Sequence, residues 1–239
     1  MIEADLLRRN LDDIRARMDA AANRAGRKDR IELVVVTKGH GAEAITILAT
    51  LGVTEIGESY VEETRAKQEE LTRTAGIRWH MIGHVQSRKA DEAARYFHLV
   101  HSVDSLKLAR RLDRFAGLAG RALPILLELN VGGEASKYGW PASDDKLFKA
   151  ALPQIEEILQ LPNLKVRGLM SIAPMTEKPG SARQYFECTR LHRDQLANLF
   201  PAGDWSQLSM GMSDDFEVAI LEGATLVRIG TAILGPRPE

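Results

Sequence analysis

The parts of this chain that could do chemistry are one lysine, a set of small polar residues that follow apolar runs, and two glycine-containing turns. Lys38 follows IELVVVT, in which five of seven residues are apolar and three are consecutive valines. Such a run is too short and too β-branched for a good helix and reads as a strand buried on both faces. A lysine at its end sits at the rim of an apolar core, where desolvation lowers an ammonium's pKa. The neutral amine can then attack an aldehyde and form a Schiff base. Taken alone, Lys38 is more simply read as a lysine that snorkels out of the core.

Other residues end or follow apolar runs in the same way: Glu58, His84, Ser102, Asn130, Ser171, Ser209, Gly211, Gly230 and Thr231. The stretches LSMGMS, containing Ser209-Met210-Gly211, and RIGTAILG, containing Arg228 and Gly230-Thr231, could cradle a phosphate. Glycines let backbone N–H groups approach an anion, and Ser209 and Thr231 add hydroxyl donors. As turn formers the same residues need no ligand. Asp214 and Asp215 would repel an anion at the start of the following helix, which directs it to the loop amides and the Gly230-Thr231 turn. Arg228 points either outward to a helix carboxylate or inward to a ligand, and both readings stand without the register. His80 and His84 bracket a strand end, where a hydrogen-bonded structural role is the default. Glu134, Ser136 and Lys137 lie on a longer loop and read as solvated. Cys188 falls on a helix face and reads as inert core. Trp79 and Trp205 read as packing residues within strands.

Eight apolar runs, at 31–37, 53–56, 78–82, 97–101, 122–129, 164–169, 205–208 and 225–229, alternate with helical segments. Leu7, Leu11, Ile14, Met18 and Ala21 mark an additional amphipathic helix at the amino end, within residues 1–26. Ser105 or Asp104 is placed to cap one helix, Ser143 another and Ser213 a third, and Pro153 is expected to kink or restart its helix. Glu63 is spaced to pair with Lys67 one turn on. Eight such units in 239 residues predict a single closed (β/α)8 barrel domain, which typically takes about 250 residues. An open doubly wound sheet is less suited, because no GxGxxG turn follows the first strand. The carboxyl ends of the strands then form one mouth, where the residues above converge.

Net charge is −1, with 44% hydrophobic and 27% charged residues, which gives no global attraction to nucleic acid or membrane. One cysteine excludes an internal disulfide and a cysteine-cluster metal site, and the six histidines show no metal-like spacing. With no signal core and no membrane-length apolar run, a cytoplasmic location is expected. A Schiff-base lysine after strand one and a phosphate cradle after strands seven and eight suggest one ligand with an aldehyde at one end and a phosphate at the other, pyridoxal 5′-phosphate.

The chain resembles the pyridoxal-phosphate homeostasis proteins over almost its whole length. The resemblance rests on VVVTK, IGESYVEE, WHMIGHVQSRK, HSVDS, LELNVGGEASKYG, GLMSIAP and LSMGMSDDFEVAILEGATLVRIGTAILG. It implies a barrel like the amino-terminal domain of alanine racemase, a cofactor aldimine on Lys38, and phosphate contacts from Ser209, Gly230 and Thr231 with neighbouring amides of the Met210-Gly211 turn. Arg228 would lie near the cofactor's phosphate or ring, and Ser59 and His84 at the rim. Ser59, Arg88 and His40 depart from the family pattern, which usually has asparagine, asparagine and lysine there.

A racemase needs acid–base groups on both faces of the bound substrate. In alanine racemase the second is a tyrosine from an additional domain, and this chain stops eight residues after Thr231, which follows its eighth strand. Tyr138, on the fifth loop, is the one candidate. An arginine against the ring nitrogen would keep that nitrogen unprotonated and a poor electron sink. The expectation is therefore a monomeric, non-enzymatic carrier that buffers pyridoxal 5′-phosphate, with other B6 vitamers and apo-enzymes as further partners. A racemase using Lys38 and Tyr138 is the alternative, and a phosphosugar barrel with an aldolase-type lysine stands behind both.

Overall fold

Strand β1 (Glu32–Val36) forms on the valine run. In a computed structural model, which describes residues 3–71, 76–175 and 180–236, it is the seam of a ring. On one side it pairs with β2 (Glu55–Glu58) and on the other with β9 (Leu226–Ile229), both parallel to it. Strands β3 (Arg78–Met81), β4 (Leu99–Val103), β5 (Leu123–Asn130), β7 (Leu164–Ser171) and β8 (Gln207–Ser209) continue the parallel ladder, and a β4–β5 pairing closes it. The result is the expected eight-stranded closed barrel.

Helices α2 (Ala42–Thr50), α3 (Val61–Glu70), α4 (Ala90–Tyr96), α5 (Leu106–Leu118), α6 (Asp145–Leu159), α7 (Arg183–Leu199) and α8 (Phe216–Leu221) fall between successive barrel strands. Two short elements carry too few residues to show a period: β6 (Trp140–Pro141), which pairs with the end of β5, and α9 (Thr231–Leu234), which follows β9. Trp140 fixes β6 by donating its indole N–H to the Val103 carbonyl at 3.0 Å.

Several boundaries differ from expectation. The fourth strand starts and ends two residues later than expected, so Ser102 and Val103 belong to the sheet. Ser105 caps α5 as anticipated, but Asp144 rather than Ser143 caps α6, accepting from the N–H groups of Lys146 and Leu147. A carboxylate is the stronger partner for a helix amino end. Helix α6 runs through Pro153. Trp205 is buried just before β8 rather than within it. The seventh helix begins at Arg183 rather than near residue 180, and Pro179 lies outside the described residues.

Strand alternation sorts the barrel interior into layers. Val34, Leu99, Leu126, Met170 and Leu226 form an apolar cluster from five different strands. Two positions further along four of those strands stand Val36, His101, Glu128 and Arg228, all buried. The interior is therefore apolar below and mostly polar toward the carboxyl ends of the strands. Helix α1 (Ala4–Arg24) buries Leu7, Leu11, Ile14, Met18 and Ala21 and packs on α8 and α9. Asn10 donates to the Ile233 carbonyl at 2.9 Å, and Arg17 pairs with Glu217 while its guanidinium lies 4.8 Å from the centre of the Phe216 ring. The helix thus braces the elements that follow the last two strands. Leu11→Ala should destabilise the protein by about 2–5 kcal/mol, read as a lower urea midpoint with an unchanged slope.

Candidate functional site

Lys38 leaves the end of β1, half-buried, and the residues on either side of it are tied down. The Thr37 hydroxyl donates to Glu58 at 2.5 Å, and Lys67 donates to the Thr37 carbonyl at 2.8 Å. Lys67 also pairs with Glu58 and with Glu63, each at 2.6 Å, which realises the expected i,i+4 pair. Glu63 in turn accepts the Gly39 N–H at 2.7 Å. Both peptide flanks of Lys38 are therefore held by one ionic cluster. Glu58 is fully buried; desolvation raises its pKa, opposed by Lys67. Glu58 Oε2 has no hydrogen-bond partner, so this cluster is costly to build and sensitive to the loss of Lys67.

On the neighbouring strand, Gly230 and Thr231 follow β9, whose Ile229 is in register with Val35. Gly230 lies so near β1 that a Cβ there would stand 3.2 Å from the Val36 carbonyl. Lys38 and the Gly230-Thr231 turn thus emerge side by side. Ser213 completes this turn: its hydroxyl accepts the Ala232 N–H at 3.3 Å. Sequence reasoning assigned Ser213 to the cap of α8. Instead Asp215 occupies that position, and its carboxylate accepts the Met212 N–H at 2.6 Å. Ser213 therefore joins two loops that the barrel places next to each other. Its signal was the phosphate-site rule itself, which names the loops after strands seven and eight together with a short extra helix.

Arg228 points inward. It is 4% exposed and donates to the Ser209 carbonyl at 2.7 Å, the Ser209 hydroxyl at 2.6 Å and the Ser171 carbonyl at 2.9 Å. Burial lowers its pKa to about 10, against the attraction of Asp215 and Glu128, so it stays a cation at neutral pH. Glu128, missed in the sequence, faces the same interior. Burial, with Asp104 adding to it, raises its carboxyl to about 7 against the pull of Arg228 and Lys137. Its place was readable by counting two residues on from Leu126 along β5.

The remaining residues divide. Lys38, Ser59 and His84 line one cavity of about 430 Å³ with Tyr60, Arg88 and Tyr138. His84 pairs with Asp104 at 3.1 Å and stacks on Tyr138, with ring centres 3.6 Å apart. Ser209 is fully buried, with its hydroxyl between Arg228 and His101 at 2.8 Å from the latter's Nδ1, inside the barrel rather than on the turn. Met210 packs in the apolar core and gives its N–H to Leu226. Gly211 has φ +95°, and a Cβ there would lie 2.6 Å from Ala219 Cβ, so its glycine serves packing on α8. His80 is a buried, hydrogen-bonded residue, as expected. Cys188 is half-buried and donates to the Ala142 carbonyl, and burial raises its thiol pKa. Among the described residues no cluster of His, Cys, Asp or Glu could hold a metal, and no helix is long and apolar enough to cross a membrane.

Fold and site together define a (β/α)8 barrel that presents a strand-end lysine beside a glycine-containing turn over a polar interior. The alanine racemase N-terminal domain family matches residues 9–238. The pyridoxal phosphate homeostasis protein of Pseudomonas aeruginosa is 44% identical over 232 residues, which cover 95% of this chain and 94% of that one. The chain belongs to this family of pyridoxal phosphate homeostasis proteins. A solved structure of PipY from Synechococcus elongatus PCC7942, with PLP bound, is 35% identical with a TM-score of 0.83, covering 96% of this chain and all of that one. Alanine racemase of Clostridium difficile, at 14% identity and a TM-score of 0.75, shares the fold; the match covers all of this chain and 61% of the racemase.

Lys67→Met should destabilise the protein by about 3–5 kcal/mol, because Glu58 is left buried and unpaired. Glu58→Gln combined with it should cost less than the sum of the two single changes in urea unfolding. Glu128 gives a pH signature. Its folded pKa lies above the unfolded value, so its contribution is intact below about pH 4.5 and is lost as pH rises through about 7. Glu128→Gln should remove up to roughly 3 kcal/mol of that loss. The variant's gain in melting temperature over the parent should be larger at pH 8 than at pH 5.

Proposed function

We propose that this protein binds pyridoxal 5′-phosphate, with Lys38 as the amine that receives its aldehyde, and buffers or delivers it rather than catalysing a reaction of its own. The observation that carries this reading is the pairing of Lys38 with the Gly230-Thr231 turn at the ends of adjacent strands. It is supported by the family and by a relative whose structure contains PLP.

The residues suit the group. Ser213 and the Gly230–Ala232 backbone would take the phosphate, and Thr231, exposed on the turn, offers a further hydroxyl. Arg228 and Glu128 give the floor of the site a donor and an acceptor. Ser59, His84 and Tyr138 border the side open to an incoming amine. When bound, the cofactor supplies a reversible carbon–nitrogen linkage to an amine. What this chain does is hold Lys38 in place through Thr37 and Gly39, and hold the anion on the neighbouring strand. Lys38 would serve as the amine that an acceptor amine replaces, and the Gly230-Thr231 turn as the holder of the phosphate until release.

A carrier needs no second base. Tyr138 is 56% exposed and shares its ring face with His84, a position that suits an entrance better than proton transfer at the lysine. We further place the protein in the cytoplasm as a monomer, with other B6 vitamers and apo-enzymes of the cofactor as partners.

Absorbance spectra test the central reading. Incubation with pyridoxal 5′-phosphate should give a band near the visible edge that Lys38→Ala lacks. No band in the parent overturns the reading, and racemisation of amino acids by the loaded protein would overturn the carrier role alone.

A further inference from the structure

Five buried or nearly buried groups form a continuous hydrogen-bonded chain through the barrel. Arg228 Nη1 lies 2.6 Å from Ser209 Oγ, which lies 2.8 Å from His101 Nδ1. His101 Nε2 lies 2.9 Å from His80 Nδ1, and His80 Nε2 lies 2.6 Å from Glu55 Oε2. Glu55 begins β2, at the face opposite the mouth, where it also accepts from Arg78 at 3.2 Å. The side chain of Glu55 is 12% exposed, that of His80 1%, and His101 and Ser209 are fully buried.

The end groups fix the direction of every proton in this chain. A guanidinium only donates, so Ser209 Oγ accepts from Arg228. The single hydroxyl proton then goes to His101 Nδ1. His101 carries its own proton on Nε2 and gives it to His80 Nδ1. His80 is protonated on Nε2 and donates to the Glu55 carboxylate. The reverse order needs an imidazolium at His80 or a protonated Glu55, whose carboxyl, against the effect of burial, is held below its usual value by His80 and Arg78, and it leaves the Ser209 proton without an acceptor among the contacts described. Burial, with His80 and Arg228 beside it, holds His101 well below the usual imidazole value, which agrees with a neutral ring.

We propose that Glu55, His80, His101 and Ser209 are positioning residues for Arg228. Together they form a one-way relay that orients the guanidinium under the mouth and supplies it with a distant carboxylate. The relay rests on the binding reading for its use, though not for its existence. Ser209 is held between His101 and Arg228, so the chain acts on the site through the guanidinium. Arg228 has five N–H donors, and the three bonds described above leave two that a ligand on the barrel floor can receive. Polarisation along such a chain strengthens each member in a low-dielectric interior.

Two measurements on the full chain test this. Nitrogen-15 spectra of the histidine rings, recorded without ligand at pH 7, should show His80 and His101 neutral and protonated on Nε2. An imidazolium, or a proton on Nδ1 of either ring, overturns the relay. Titration with pyridoxal 5′-phosphate should show affinity reduced about tenfold and an altered band in His101→Phe. His101→Gln, whose amide can both accept and donate, should restore most of both. Glu55→Gln, too far from the mouth to meet the ligand, should move the band in the same direction as His101→Phe. Parent-like affinity and band in His101→Phe overturn the positioning role. No band in the parent overturns the binding reading and this use of the relay, while the ring spectra still decide whether the relay exists.

Discussion

A guanidinium inside a closed barrel must find acceptors there, and much of this structure follows from how Arg228 does so. An unpaired buried charge costs several kcal/mol. Among the described residues Arg228 forms no ion pair, and its bonds go to two carbonyls and a hydroxyl at the ends of β7 and β8. Those strand ends must therefore turn their polar groups inward. Glu128 and Asp215 act on it only at longer range. A cation so placed, beneath a mouth whose rim carries Lys38, favours an anionic ligand before any direct contact is made.

Strand β2 shows how one element serves both sides of the barrel wall. Glu55 faces inward and ends the relay from Arg228. Glu58, three positions later, faces outward to Lys67 of α3. Period-two alternation puts the two carboxylates on opposite faces. One governs the floor of the site from within, and the other governs the lysine from outside. Lys38 and Arg228 are consequently held by separate networks, so that a disturbance of one does not pass directly to the other.

The eight strands were legible because each is a short apolar run with a turn behind it, and their order made the barrel the natural closure. What periodicity could not supply was the exact edge of each strand. Ser102 was read as lying just past the fourth strand, whereas β4 runs on through it to Val103. The inward direction of Arg228 was open for the same reason; register with β1 decides it. Lys38 and the Gly230-Thr231 turn were legible because the fold has a fixed active end. Ser209 was misplaced because a serine beside a glycine turn looks like an anion ligand, whereas its neighbour Arg228 claims it. Ser213, Glu128 and the Lys67 cluster were hidden, since each acquires its role from a partner distant in sequence.

The electrostatics of the floor also bear on the proposed role of binding rather than transforming a ligand. Electron withdrawal by a pyridine ring depends on a proton at its nitrogen, and that proton needs an acidic neighbour. Arg228 cannot be that neighbour, since even at about 10 its pKa is too high for the guanidinium to give its proton to a pyridine. A pyridine nitrogen placed against it would keep its lone pair. Glu128, raised to about 7, is the one group of suitable acidity nearby, and the pull of Arg228 keeps it partly ionised at neutral pH. Such an interior would favour an uncharged ring, in line with the proposed carrier role. On the proposed reading, the groups lining the barrel interior, rather than any change in the strand-end lysine, would turn this fold to retention.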